Sequence, residues 1–284
     1  MTMWEFIRAA WIWEPSVVGG CLALAAWYLS AVGVKPARRA ASFLAGVAVL
    51  FLALNSPLDV LGDTYLFSAH MIQHLLLILV VPPLLLLGMP PALADLERYP
   101  PCVRRAGRVL SYPAVAWTLG VATMVVWHVP GLYNAALRGE AIHITQHLSF
   151  LITSTIFWWP VLAAAGTERL APLPAVLYLM GAALAGSILG IIVTFAQVGL
   201  YPAYLHPIDP FGIELLIRNG WGLSPQSDQE LGGLVMWIPG GLVYLWAILC
   251  VMARWYRTAE LPDQAVAAPD ASPQAGIVVG PAER

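Results

Sequence analysis

Charged side chains are scarce in this sequence. Only 11% of its 284 residues are Asp, Glu, Lys or Arg, whereas 60% are hydrophobic, and the mean hydropathy is +0.75. Soluble globular domains carry about 25% charged residues, so the composition excludes a soluble fold and indicates an integral membrane protein. We expect the lipid bilayer as its surroundings and no nucleic acid as a partner.

Cysteine is also scarce. The three cysteines, Cys21, Cys102 and Cys250, form no CxxC motif. This spacing indicates neither a structural disulfide nor a thiolate metal site, so imidazole would have to supply most ligands to any bound metal. The sequence also lacks a recognisable Ser/His/Asp set and a phosphate-binding loop. It gives no reason to expect an enzyme.

Long apolar runs are abundant. They predict an all-α, polytopic membrane protein whose seven transmembrane helices form one bundle over residues 16–257. The predicted spans are 16–34, 40–54, 66–87, 112–129, 142–165, 173–196 and 231–253. Residues 1–15 are predicted to be an interfacial segment and not a cleaved signal, and residues 258–284 a disordered cytoplasmic tail.

The distribution of Lys and Arg predicts the orientation. Eleven of these residues fall in the loops after spans one, three and five or beyond the last span, and three fall on the other side. The positive-inside rule then puts the N-terminus outside and the C-terminus in the cytoplasm. The expected location is the bacterial cytoplasmic (inner) membrane, which the chain crosses several times. Nine acidic residues lie on the outer side against those three arginines, so this face is expected to attract cations.

The histidines are paired. His70 and His74 stand four residues apart, as do His143 and His147. Residues with this spacing share one face of a helix, so each pair can direct two imidazoles at one point. With the predicted topology, both pairs and His128 lie at the same depth near the outer surface. Ionisable groups in membrane segments are usually functional, and we predict that these five histidines bind a metal.

Other polar residues are candidates to support the histidines. Met124, four residues before His128, adds a thioether that favours Cu(I), whereas imidazoles alone suit Cu(II), zinc or iron. Metal-bound imidazoles usually hydrogen-bond a carboxylate or amide through the second ring nitrogen. The candidates for that role are Asp63, Gln73, Glu140, Gln146 and Asp228.

Simpler roles explain some of these residues. Asp63 and Glu140 stand where residues that cap a helix N-terminus belong, which explains them about as well as a role beside a metal. Packing in the apolar core explains Met124 without a role as a metal ligand. His206, in a loop beside Pro207, is more readily an interfacial residue than a ligand.

Four sequence blocks carry a family resemblance. They are SPLDVLGD with HMIQHL within 56–75, WHVPGLYNAA at 127–136, HITQHLSF at 143–150 and DQELGGLVMWIPGG at 228–241. Together they resemble CtaG, the seven-span assembly factor family of bacterial caa-type cytochrome c oxidases. Glu230 departs from the family pattern, which has Gln there. This single departure leaves the assignment intact. The matching blocks span roughly residues 50–250 in the expected order.

The resemblance implies a role in maturing a haem-copper oxidase, with copper inserted from the outer side. Copper is then the expected cofactor, and oxidase subunits or a copper chaperone the expected partners. The alternative is a haem-binding membrane redox protein in which histidines of facing helices ligate the iron. That alternative explains the matched depth of the pairs but not why each helix needs two imidazoles. A cation transporter ranks last, because the middles of the predicted spans carry no charge.

Overall fold

The fold is helical throughout the residues that the computed structural model describes, 1–163 and 169–266, and those residues include no β-strand. The α-helices in chain order are α1 (Met3–Ala9), α2 (Pro15–Ala31), α3 (Ala37–Asn55), α4 (Pro57–Val60), α5 (Phe67–Leu75), α6 (Val81–Gly88), α7 (Pro91–Ala94), α8 (Pro101–Leu110), α9 (Pro113–Trp127), α10 (Pro130–Arg138), α11 (Glu140–Leu162), α12 (Pro172–Phe195) and α13 (Pro225–Val266). Most of them begin with proline, whose fixed φ suits the first helical position and whose missing N–H is not needed there. The all-helical prediction is confirmed.

Four of the described helical segments are long and apolar enough to cross a membrane. They are Ala37–Asn55, Phe67–Gly88, Pro172–Phe195 and Pro225–Thr258. The pair α8 and α9, bent by 70°, would make a fifth if it forms one span. A helix lies at each of the seven predicted positions, but α2 has only 17 residues and α11 carries histidines and hydroxyl side chains in its apolar run. Seven spans and their orientation stay predictions.

Helices α12 and α13 pack with their backbones in contact. A Cβ atom added to Gly190 would lie 2.8 Å from the carbonyl oxygen of Gly233, and one added to Gly233 would lie 2.6 Å from the backbone nitrogen of Thr194. Only glycine fits at both positions, as is common where membrane helices approach closely. Helix α13 also packs on α5, and α11 packs on both α9 and α6. These contacts set α5, α9 and α11 side by side.

The third predicted span is built from three pieces. A π-helical turn, Leu76–Val80, joins α5 to α6. Such turns accommodate one extra residue in a helix and are frequent at functional sites. At the start of this span, Leu66 is extended (φ −132°, ψ 117°), so α5 begins at Phe67. Its histidines therefore occupy the first two turns of the span.

The two ends of the chain extend this bundle. In the N-terminal segment, α1 buries Phe6 completely against the rings of Tyr65 and Phe211. At the other end α13 continues as a helix to Val266, into the stretch predicted as a disordered tail. Residues 267–284, the rest of that predicted tail, lie outside the described residues.

Candidate metal centre

Five histidines from three helices meet at one end of the bundle. The first turns of α5 supply His70 and His74, those of α11 supply His143 and His147, and His128 ends α9. The ring centroids are 4.3 Å apart within the first pair and 4.1 Å within the second. Between elements, the ring of His74 lies 5.6 Å from that of His147 and 5.8 Å from that of His128. The structure therefore brings together all five histidines singled out in the sequence.

Two groups within this cluster have the spacing of a metal site. Potential ligand atoms of His70, His74 and His147 all lie within 4.8 Å of one another, as do those of Asp63, His70 and His143. Ligands held about 2.0–2.1 Å from one tetrahedral ion are about 3.4 Å apart. Small side-chain rotations would therefore suffice to close either group on an ion.

The buried imidazoles lack hydrogen-bond partners. The Nε2 atoms of His70 and His147 and both ring nitrogens of His74 have none among the described residues. These three residues are at most 8% exposed. Buried polar atoms are rarely left unpaired, because losing water without a replacement costs free energy. A cation shared by these nitrogens would satisfy them, so the residues present fit a bound metal.

Asp63 joins the two helices that carry the histidine pairs. Its Oδ1 atom lies 3.3 Å from His70 Nδ1 and 3.3 Å from His143 Nε2. Asp63 does not belong to α5, because the extended Leu66 breaks the helix between Asp63 and His70. Asp63 instead sits in a π-helical turn, Leu61–Tyr65, that folds back onto α5. Gly62 permits this approach, since a Cβ there would lie 2.9 Å from the Cα of His70.

The two glutamines and Glu140 are placed differently from one another. Gln73 donates hydrogen bonds to the carbonyl of Ala53 (2.9 Å) and to Asp59 Oδ1 (2.6 Å), so it ties α5 to α3 and α4. Gln146 is fully buried and its side-chain amide has no hydrogen-bond partner in the described part of the chain. Glu140 is exposed and lines a cavity with His143. The structure gives none of the three a direct hydrogen bond to a histidine ring.

Asp228 holds the start of α5. Its carboxylate accepts hydrogen bonds from the backbone N–H groups of Phe67 (2.8 Å) and Ser68 (3.1 Å) and from the Ser68 hydroxyl (2.6 Å). The first N–H groups of a helix have no partner within the helix, and here a side chain of α13 supplies one. Asp228 therefore positions the turn that carries His70 without touching its ring.

An acidic cavity leads to the histidines. It has a volume of about 580 Å³, and among its mostly apolar lining residues are the acidic side chains of Glu14, Asp59, Asp63 and Glu140 together with His143 and His147. Burial and, to a smaller extent, the nearby Asp63 carboxylate raise the pKa of Asp59 to about 8 against the opposing hydrogen bond from Gln73, so Asp59 is mainly protonated at neutral pH. Ionised carboxylates along such a cavity raise the local concentration of cations, and Asp59 contributes little to this effect while it is protonated.

Tyrosines complete the surroundings of the cluster, and the sequence argument missed them. The Tyr204 hydroxyl donates to the carbonyl of Gly62 at 2.8 Å and lies 3.3 Å from His70 Nδ1. Tyr201 donates to the backbone carbonyl of His128 at 2.9 Å. Burial raises the pKa of Tyr204 well above its ordinary value, so the hydroxyl keeps its proton. The loop drew notice only through His206, which is exposed.

A family comparison covers most of the chain. The profile of the family described as cytochrome c oxidase caa3 assembly factor (Caa3_CtaG) matches residues 21–258. The chain belongs to this family. The matched region of this CtaG-family protein contains all five clustered histidines and Asp63.

Several mycobacterial proteins are similar to this CtaG-family chain. Uncharacterized protein Mb0105 of Mycobacterium bovis and Uncharacterized protein MT0111 of Mycobacterium tuberculosis are each 25% identical over 250 residues, and Uncharacterized protein ML1998 of Mycobacterium leprae is 24% identical. The matches cover 78% of this chain and 34–35% of each relative. The chain thus spans about a third of the length of these relatives. No solved structure matches it.

Proposed function

We propose that this chain assists copper insertion into a haem-copper cytochrome c oxidase, acting from the outer side of a bacterial cytoplasmic membrane. Membership of the oxidase assembly factor family supports the client. The single observation that carries the copper step is the group of three buried histidines, His70, His74 and His147, each of which offers a ring nitrogen within 4.8 Å of the others and has at least one ring nitrogen without a partner. The role is that of an assembly factor and not of a catalyst.

The chemistry of the donors supports copper. Imidazole ligands suit copper, zinc and iron alike, and the Irving–Williams order gives Cu(II) the highest affinity for such a site. Copper is also the metal that the family's client must receive. In this proposal His70, His74 and His147 hold the ion, and Asp63 fixes the rings of His70 and His143 through contacts of 3.3 Å.

The acidic cavity supports entry from one side. Its carboxylates would attract a hydrated cation, and its inner wall reaches His143 and His147. The Lys and Arg distribution predicts that this end faces the outside of the cell, where an oxidase subunit or a copper chaperone would meet the protein. Delivery or acceptance of copper would then take place at the mouth of this cavity.

The experiment that tests the proposal replaces two ligands. We expect His70→Ala/His74→Ala to lower the copper content and turnover of the oxidase while the oxidase polypeptide and the variant stay in the membrane. Excess copper in the growth medium should restore part of the activity if delivery limits assembly. His206→Ala, which changes the exposed histidine of the loop, is the matched control and should leave oxidase copper unchanged.

A purely structural role of the histidines predicts a different outcome. The variant protein itself would then disappear from the membrane, and oxidase copper would fall only in proportion. Measuring the variant, the oxidase polypeptide and oxidase copper in the same membranes separates the two cases. Full copper occupancy with normal turnover in the double variant would contradict the proposed copper step.

A further inference from the structure

A second set of metal donors lies beside the histidine cluster, on α5 and α9. The Sδ atom of Met71 is 3.4 Å from Nε2 of His128. Met71 and His74 are three residues apart on α5, and Met124 and His128 are four apart at the end of α9, so each thioether shares a helix face with an imidazole. Met71 belongs to none of the residue groups considered so far.

The hydrogen bonds of His128 determine which ring nitrogen is free. Its Nδ1 lies 2.6 Å from the carbonyl oxygen of Met124, and a carbonyl can only accept, so Nδ1 carries the proton. In the neutral ring Nε2 then has a lone pair and no hydrogen. A thioether sulfur is also an acceptor. Two acceptors therefore face each other with nothing to share, which is the situation that a cation between them relieves.

The separation of the two atoms suits a shared ion. A nitrogen about 2.0 Å and a sulfur about 2.3 Å from one ion, spread by about a tetrahedral angle, lie about 3.5 Å apart. The observed 3.4 Å agrees with this value. Both residues are buried, Met71 completely and His128 with 4% exposure. No large movement of the chain is needed to place an ion between them.

A small cavity adjoins these two atoms. It has a volume of about 30 Å³ and is lined by Met71, Met124, Met236, His74 and His128 among apolar residues. This volume has room for one water molecule or one ion. Three thioethers and two imidazoles make its donors softer than the carboxylates and imidazoles on the side of the acidic cavity. Soft donors of this kind select Cu(I) over divalent ions.

We infer that Met71 and His128 form a second metal site, selective for a soft monovalent cation such as Cu(I), beside the group of three histidines. His74 lines the same cavity and belongs to that group, so it connects the two sites. The site deepens the proposed function, on which it rests, by adding a position that would hold copper in its reduced form within the bundle. No redox step is required of the protein, since the site takes the ion as Cu(I).

Silver binding to the purified full-length protein tests the second site. Ag(I) is a soft monovalent ion without redox chemistry, and Zn(II) serves as the divalent probe of the histidine group. We expect Met71→Leu, a substitution that nearly conserves volume, to weaken Ag(I) binding at least tenfold and to reduce the sulfur contribution to the Ag absorption spectrum, with Zn(II) binding retained. Met180→Leu, at a position 53% exposed on α12, is the matched control and should behave as wild type.

Three results would contradict the second metal site. Unchanged Ag(I) affinity in Met71→Leu, an Ag spectrum with nitrogen ligands only, or equal loss of Ag(I) and Zn(II) would overturn the second site. None of these results depends on the oxidase, whose copper content tests the proposed function separately. A protein that binds Zn(II) at its histidines and no Ag(I) would therefore overturn this inference and leave the proposed function standing.

Discussion

At the scale of single residues, the candidate site depends on a carboxylate shared by two imidazoles. Asp63 contacts His70 and His143, which belong to different helices, and it is 30% exposed at the wall of the acidic cavity. A carboxylate in this position sets the tautomer and orientation of the rings and increases their basicity as ligands. Asp63 is thus the residue whose change should affect metal binding without removing an imidazole.

We expect Asp63→Asn to weaken metal binding by roughly 10–100-fold, because the neutral amide lacks the negative charge that orients the two rings and increases their basicity as ligands. Zn(II) titration of the purified variant measures this loss. Asp95→Asn is the matched control, since the side chain of Asp95 is 44% exposed and pairs with Arg98, three residues later, and not with a histidine. Equal affinities of the Asp63 variant and wild type would show that the carboxylate does not support the site.

The residues of the site were predictable from the sequence to different degrees. The i, i+4 spacing identified both histidine pairs because helical periodicity fixes which side chains share a face. Met71 carried no such signal, because its partner His128 belongs to another helix and only the tertiary packing brings them together. Tyr204 was missed for the same reason, since its contact with Gly62 joins residues 142 positions apart.

At the scale of elements, the site depends on where α5 begins. The helix has no side-chain cap of its own at Leu66, and Asp228 of α13 accepts the first N–H groups in its place. The extended conformation of Leu66 turns the preceding segment back so that Asp63 reaches His70. Neither feature could be read from the apolar runs, because a continuous span through Leu66 fits the sequence equally well.

Asp228→Asn should loosen the first turn of α5. The amide keeps one acceptor oxygen but turns an NH2 group toward a donor of Phe67 or Ser68, so we expect a loss of about 1–2 kcal/mol of stability. The midpoint of thermal unfolding in detergent should fall, and metal affinity should fall with it. Glu230→Gln, two residues on in the same helix, is the control and restores the residue of the family pattern. Asp228 has no capping role if both variants unfold at the temperature of wild type.

At the scale of the whole molecule, the all-helical class is confirmed, whereas the seven spans predicted from the sequence stay a prediction. The all-helical membrane fold follows from the apolar runs, and a helical segment overlaps each predicted span, although the third consists of three pieces and the end of the fifth lies outside the described residues. Within the described part of the chain, only four segments, or five with the bent pair, are long and apolar enough on their own, because α2 is short and α11 carries histidine, glutamine and hydroxyl side chains in place of apolar residues. These polar groups are buried by packing against other helices. The hydropathy of a single helix cannot show which of its polar side chains are buried in this way.

Reporter fusions test the orientation of the molecule. Because Lys and Arg concentrate on one side, we expect alkaline phosphatase fused after Arg257 to be inactive and the same enzyme inserted after Ile208, an exposed position of the loop before α13, to be active. An active fusion after Arg257 would reverse the topology. The histidine cluster and its acidic cavity would then face the cytoplasm.

Metal analysis of the purified protein tests the central claim, that the clustered histidines bind copper. Protein produced with copper in the medium should retain copper whose X-ray absorption spectrum shows imidazole nitrogen ligands, and His70→Ala/His74→Ala should lose it. A folded wild-type protein that binds no copper under these conditions would contradict the claim. A Soret band in its visible spectrum would indicate that these histidines ligate haem iron instead of copper.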